Sequence, residues 1–352
     1  MDYISKLQEI FTQAVKLNAT DLHLAVGEPP IFRVDGALKK QDGEKLDQIA
    51  VENLAISTLR AEYLDRLRRE KEIDFSFSFG NARVRSNVYF EKGSIAAAFR
   101  FIPQKIRLIR ELGLPPVIER FAKVSHGLVL MTGPTGSGKS TTMAAIIETI
   151  NQTYAKHIIT IEDPMEYVFE DKKSFISQRE YGTDTLSFGR ALRSALREDP
   201  DVVMIGEMRD LTTIEAALTI AETGHLVLAT LHTNSAAQTA DRIIDIFPEH
   251  QQEQVRQQLA NELSAIISQR LVPKVSGGRI SVCEILISNP AIASLIRENK
   301  THQIQNIIST SASEGMITLD KVLADLVSRG DISFEEALKW TGDVKEFKQM
   351  VY

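Results

Sequence analysis

One eight-residue run, Gly133-Pro134-Thr135-Gly136-Ser137-Gly138-Lys139-Ser140, restricts what this chain can fold into more than any other. Its spacing is Gly-x4-Gly-Lys-Ser, which has meaning only between a buried strand and a helix. Both flanks are present: Leu128-Val129-Leu130-Met131 is an apolar strand, and Ser140-Thr141-Thr142-Met143-Ala144-Ala145-Ile146 opens a helix. Glycines let the backbone curl so that N–H groups converge on an anion, and the helix N-terminus adds positive potential. The run, with Thr141 behind it, therefore reads as a nucleotide-phosphate cradle. Lys139 is placed to reach the β- and γ-phosphates of ATP and Ser140 to hold Mg²⁺.

The surrounding pattern fits that cradle. Short apolar strands at 128–132, 157–161, 201–205 and 225–231 alternate with helices at 139–152, 187–197 and 211–222. This alternation predicts a parallel sheet flanked by helices. From about 249 the chain reads as mostly helical, with a hairpin near Gly277-Gly278. Residues 289–352 read as several short helices, including 318–328 and 333–340.

Before the loop the periodicity differs. Residues 1–17 read as an amphipathic helix with Ile4, Leu7, Ile10, Phe11 and Ala14 on one face. Asp21-Leu22-His23-Leu24-Ala25-Val26 alternates like a strand and turns at Gly27-Glu28-Pro29-Pro30; residues 46–71 hold charge-rich helices. Strand-like runs follow at 73–79, 82–90 and 94–102, broken at Gly80-Asn81 and Lys92-Gly93. The expectation is an α+β domain over 1–102, a linker or hinge over 103–114, and an α/β ATPase domain over 115–288 with a C-terminal helical segment over 289–352.

A phosphate loop needs acids to hold metal and orient water. Two strands end in them: Ile159-Thr160-Ile161-Glu162-Asp163-Pro164 and Asp201-Val202-Val203-Met204-Ile205-Gly206-Glu207. In open α/β sheets that edge is where ligands bind. Glu207 is the candidate for polarising the attacking water, while Glu162 and Asp163 would assist through the metal or an ordered water. Glu162 is thus a second metal candidate beside Ser140. The strand 225–231 lies between two histidines, and His232 falls at its carboxyl end, where an imidazole can sense a γ-phosphate. His225, at the other end, admits a functional and a structural reading equally.

Arg83 and Arg85 share one strand face by the two-residue period, and Arg100 lies on the strand-like run that follows. Two guanidinium groups on one face suit a polyphosphate or a solvated sheet surface. Arg190, Arg193 and Arg197 line one helix face, as an interface stripe or a solvated one. The net charge, 41 minus 47 or -6, argues against a nucleic-acid partner. The single cysteine, Cys283, excludes an internal disulfide and a cysteine metal site, and its alternating run reads as a buried strand. Met1-Asp2-Tyr3-Ile4-Ser5-Lys6 has no signal-peptide core, and no stretch approaches the roughly 18 apolar residues of a membrane helix. The expected location is cytoplasmic, with any membrane contact through partners.

Loop 133–140, acid strand 158–167, Gly-Glu strand 199–207 and histidine strand 223–233 follow in an order that resembles the secretion ATPases of types II and IV secretion and type IV pili. That superfamily names them Walker A, Asp box, Walker B and His box, and its Walker B carries Gly-Glu, as at Gly206-Glu207. The chain is most similar to PilT-like pilus retraction ATPases, through Asp21-Leu22-His23-Leu24 and Pro29-Pro30-Ile31-Phe32-Arg33-Val34-Asp35-Gly36. With one cysteine it has no tetracysteine module, and the extra N-terminal domain typical of assembly and type II secretion ATPases is not expected. Ala291-Ile292-Ala293-Ser294-Leu295-Ile296-Arg297-Glu298 resembles the Ala-Ile-Arg-Asn-Leu-Ile-Arg-Glu signature linked to retraction and departs at Ala293 and Ser294. An accessory retraction role, an assembly role, a RecA-like nucleic-acid translocase and a poorly hydrolysing adaptor stand as alternatives.

The resemblance implies a PAS-like N-terminal domain, a RecA-like P-loop domain and a homo-hexameric ring. It also implies ATP between the domains, with Arg83, Arg85 and Arg100 closing on the phosphates, catalysis by Glu207 and phosphate sensing by His232. The partner implied is an inner-membrane pilus platform protein, engaged at the cytoplasmic face of that membrane.

Overall fold

The computed structural model describes residues 2–34, 36–80, 82–102, 106–342 and 344–351. Asp35, Asn81 of the expected turn, and Pro103, Gln104 and Lys105 of the expected linker lie outside the described residues. The chain divides into two compact units, Met1–Lys105 with Glu166–Val168, and Ile106–Met165 with Phe169–Tyr352.

The first unit is built on strands β1 (Asp21–Leu24), β2 (Ile31–Val34), β3 (Ala37–Lys40), β4 (Glu72–Phe79), β5 (Ala82–Glu91) and β6 (Ser94–Ile102). They form one antiparallel sheet in the order β3-β2-β1-β6-β5-β4. The helix Tyr3–Lys16 starts at Asp2, whose carboxylate accepts from the N–H groups of Ile4 and Ser5. It buries Leu7, Ile10, Phe11 and Ala14, positions three and four apart. Phe11 lies edge-on to Phe79, Phe99 and Phe101. Ile4, expected on that face, is 58% exposed: it sits in the first turn, one step before the apolar stripe meets the sheet. The β2–β3 hairpin is invisible to alternation because all four residues of β3 are exposed.

The second unit carries β7 (Gly127–Thr132), β8 (His157–Glu162), β9 (Phe175–Glu180), β10 (Val202–Ile205), β11 (Leu226–Leu231), β12 (Leu263–Pro273) and β13 (Arg279–Ile287). Their order is β13-β12-β7-β11-β10-β8-β9, parallel except for β13. Strands β7, β10 and β11 are buried along their whole length, as central parallel strands covered by helices must be. The helices Lys139–Thr153, Phe188–Ala195 and Leu211–Glu222 match the expected ones closely.

One expectation needs correction. The chain is not helical from 249 onward: the helix Glu249–Glu262 passes directly into β12, eleven residues long. No glycine or proline marks the change between Glu262 and Leu263, so nothing local signals it. The hairpin at Gly277-Gly278 is present, closed by the Lys274 N–H donating to the Gly278 carbonyl. Beyond it, helices including Pro290–Arg297, Leu319–Ser328 and Phe334–Leu338 follow, and Val272, Val282, Leu323 and Phe347 share a small separate core. Among the described residues, no helix is long and apolar enough to cross a membrane.

Cys283 lies on β13 with no exposed surface, and burial pushes its thiol up to about 11. A thiol held neutral and enclosed is inert. The native protein is expected to resist maleimide labelling at neutral pH and to label once unfolded; rapid native labelling would contradict this placement.

Candidate nucleotide site at the carboxyl edge of the sheet

Strands β7, β11, β10 and β8 are neighbours and parallel, so their carboxyl ends share one edge. β7 ends at Thr132, whose hydroxyl is 2.8 Å from that of Ser268 on β12. The chain then turns through Gly133 at φ +138°, which favours glycine. A Cβ there would lie 2.3 Å from the Gln269 carbonyl oxygen, so the loop's first residue has no room for a side chain. Lys139 is 8% exposed, and its ammonium donates to the carbonyls of Gly133 at 2.8 Å and Pro134 at 3.1 Å. The Ser137 hydroxyl is buried with no hydrogen-bond partner. A buried donor without a partner costs about 1–3 kcal/mol, and a phosphate oxygen held in the loop would satisfy it. Residues Ser140 and Thr141 lie in the first turn of the helix Lys139–Thr153, which begins at Gly138 without a side-chain cap. Its first N–H groups are therefore not answered by a capping side chain, the arrangement that receives anions.

β8 delivers the first acids. Glu162 is 4% exposed and accepts from the Thr160 hydroxyl at 2.7 Å and the Gln178 amide at 3.3 Å. Asp163 follows it, exposed. β10 delivers Glu207, and the glycine before it has a spatial cause. The Gly206 N–H donates to the Ile161 carbonyl at 2.8 Å, and a Cβ at Gly206 would meet the Glu162 Cα at 3.2 Å. A side chain at 206 would need the backbone that carries Glu162 to give by a few tenths of an ångström.

Glu207 Oε2 pairs with Arg209 Nη2 at 2.7 Å, and Oε1 lies 3.3 Å from His232 Nε2. Burial pushes this carboxyl up, but the Arg209 hydrogen bond and the charges of His232 and Arg209 outweigh it, holding Glu207 below its ordinary 4.5. The same bond holds the Arg209 guanidinium above its ordinary value. A carboxylate stabilised in its charged form is a weaker proton acceptor than a free one, which suits it to orienting and polarising water. Because the folded value is depressed, the carboxylate form is present above it and lost only as pH falls through it. Arg209→Ala removes the hydrogen bond and the charge. The acid limb of the kcat/KM profile is therefore expected to move to higher pH; an unmoved or lowered limb would contradict the pairing.

The sheet edge thus gathers the loop 133–140 with Glu162, Asp163, Glu207 and His232. His225 is at the other end of β11, where Nδ1 meets the Ile220 carbonyl at 3.1 Å and the Thr223 hydroxyl at 3.0 Å. Arg83, Arg85 and Arg100 belong to the first unit. There Arg85 faces Arg100 across β5–β6, and Arg100 Nε pairs with Asp21 Oδ1 at 2.8 Å. Arg190, Arg193 and Arg197 are exposed. Sequence reasoning missed Arg209, two residues past Glu207, and Gln269 and Arg270, polar residues buried on β12. Their signal was a Ser268-Gln269-Arg270 run inside an otherwise apolar strand.

A glycine loop between strand and helix, with acids on adjoining strand ends, defines a P-loop nucleoside triphosphatase. Residues 2–277 match the family described as type II/IV secretion system protein. The chain belongs to that family. It is 48% identical over 332 residues to the type IV pilus retractation ATPase PilT of Pseudomonas aeruginosa, covering 94% of this chain and 96% of that one. It is 48% identical over 310 residues to a twitching motility protein of Neisseria gonorrhoeae, covering 88% and 83%. A crystal structure of the pilus retraction motor PilT with bound ADP superposes with a TM-score of 0.92 at 49% identity, covering 97% of this chain and 98% of that one.

Proposed function

We propose that this chain is a homo-hexameric ATPase motor that hydrolyses ATP to ADP and phosphate to drive type IV pilus retraction, and with it twitching motility. The observation that carries this reading is near full-length similarity to PilT, including the ADP-bound retraction motor, in a chain whose phosphate loop and acids share one strand edge. We read residues 1–102 as a PAS-like domain, 103–114 as the hinge, 115–288 as a RecA-like ATPase domain and 289–352 as a helical segment.

In this reading the loop 133–140, with Thr141, holds the phosphates, and Lys139 leaves the loop carbonyls for the β- and γ-oxygens. Ser140 and Glu162 offer a hydroxyl and a carboxylate, oxygen donors of the kind Mg²⁺ takes alongside phosphates and waters. When bound, the metal neutralises charge on the phosphate oxygens. Glu207 orients the attacking water, with Asp163 beside it and His232 reading the γ-phosphate. Arg83, Arg85 and Arg100 supply positive charge for the transition state. Nucleotide-driven domain closure passed around a ring would move an inner-membrane platform protein from the cytoplasmic side, with no nucleic acid involved. Deleting the gene is expected to abolish twitching and complementation to restore it; normal twitching without it would overturn the retraction role.

A further inference from the structure

The guanidinium of Arg270 is buried on β12, the strand beside β7. Nη1 donates at 3.1 Å to the Gln269 carbonyl, the same oxygen against which Gly133 is packed. Nη2 donates to the Asn234 carbonyl at 2.7 Å and reaches its Oδ1 at 3.3 Å. Asn234 is two residues past His232. One planar group therefore ties the wall of the phosphate loop to the loop that carries the imidazole facing Glu207. The strand is fastened to the loop a second time, through the Gln269 amide oxygen, which accepts from Thr142 in the loop's helix at 2.8 Å.

The surroundings support a fixed guanidinium. Glu284, 4% exposed on β13, accepts from the Ala236 N–H at 2.9 Å; burial pushes its carboxyl up and pulls the Arg270 guanidinium down, and the attraction between the two offsets part of that burial. A buried cation is costly unless its donors are matched, and here they are matched from two directions. A lysine would keep the charge but present one nitrogen where the fork presents two.

We propose that Arg270 is a positioning residue: it sets the His232 loop against the phosphate loop, so that hydrolysis, more than nucleotide binding, depends on it. This rests on the reading of His232 given above. Arg270→Lys is expected to lower kcat about tenfold, with ADP affinity within about twofold of wild type. If the effect passes through the His232 loop, Arg270→Lys adds nothing in a His232→Ala background, because coupled residues are non-additive. Losses that multiply in the double variant, or an equal fall in ADP affinity, would overturn the proposal. If His232→Ala alone leaves kcat unchanged, the reading of His232 fails, and the coupling with it. Thermal melting reports folding. If Arg270→Lys does not fold, Asn234→Ala on the exposed loop removes one acceptor. It carries the same cycle with an expected loss of about two- to threefold, and multiplicative losses there overturn the proposal equally.

Discussion

Glu207→Gln is expected to lower kcat for ATP hydrolysis by about 10²–10⁴ while ADP binds as tightly as before. The change keeps the shape of a half-buried side chain at the end of β10 and removes only its negative charge. That charge is what Arg209 and His232 hold in place, at 2.7 Å and 3.3 Å. Water needs a full carboxylate to be oriented and polarised, whereas ADP binding draws on the loop and its helix. The readouts are steady-state phosphate release and a fluorescent ADP titration. Unchanged hydrolysis would remove Glu207 from the mechanism, and an equal loss of ADP affinity would make it a binding residue.

Lys139→Ala is expected to act on binding and hydrolysis together. The ammonium is nearly enclosed and is pointed at the loop's own carbonyls, Gly133 and Pro134. Transferring it to two phosphates makes charge-assisted bonds worth roughly 1.5–3 kcal/mol each. Its loss should weaken ATP binding by about 10²–10⁴-fold and take hydrolysis to background. The fold should survive, because the apolar cluster that packs this unit does not include Lys139. A variant that melts normally yet binds ATP like wild type would contradict the assignment.

Much of the site was legible because parallel α/β folds write their chemistry at strand ends. The strand at 128–132, the loop and the following helix could be read together, and an acid closes β8 while another stands two residues past β10, as the pattern predicts. What was not legible came from neighbours distant in sequence. Arg209 matters because its side chain folds back onto Glu207, which spacing alone does not reveal. Gln269 and Arg270 matter because β12 lies beside β7, more than 130 residues earlier in the chain. Nothing between Glu262 and Leu263 marks the start of that strand, so the sequence reads as helix through it. The glycine at 206 could be noted from the sequence, but the 3.2 Å approach that a Cβ there would make to the Glu162 Cα appears only in the structure.

The retraction signature region is also clearer for being seen. Ala293 packs half-buried against the main core, and the Ser294 hydroxyl caps back onto Glu298 at 2.7 Å. Both departures thus sit comfortably in the helix Pro290–Arg297.

The central claim is that ATP hydrolysis at this strand edge powers retraction. It is tested most directly by imaging single labelled pili in cells whose only copy of this gene carries Glu207→Gln. The account predicts pili that extend and do not retract. Retraction at wild-type speed would contradict it.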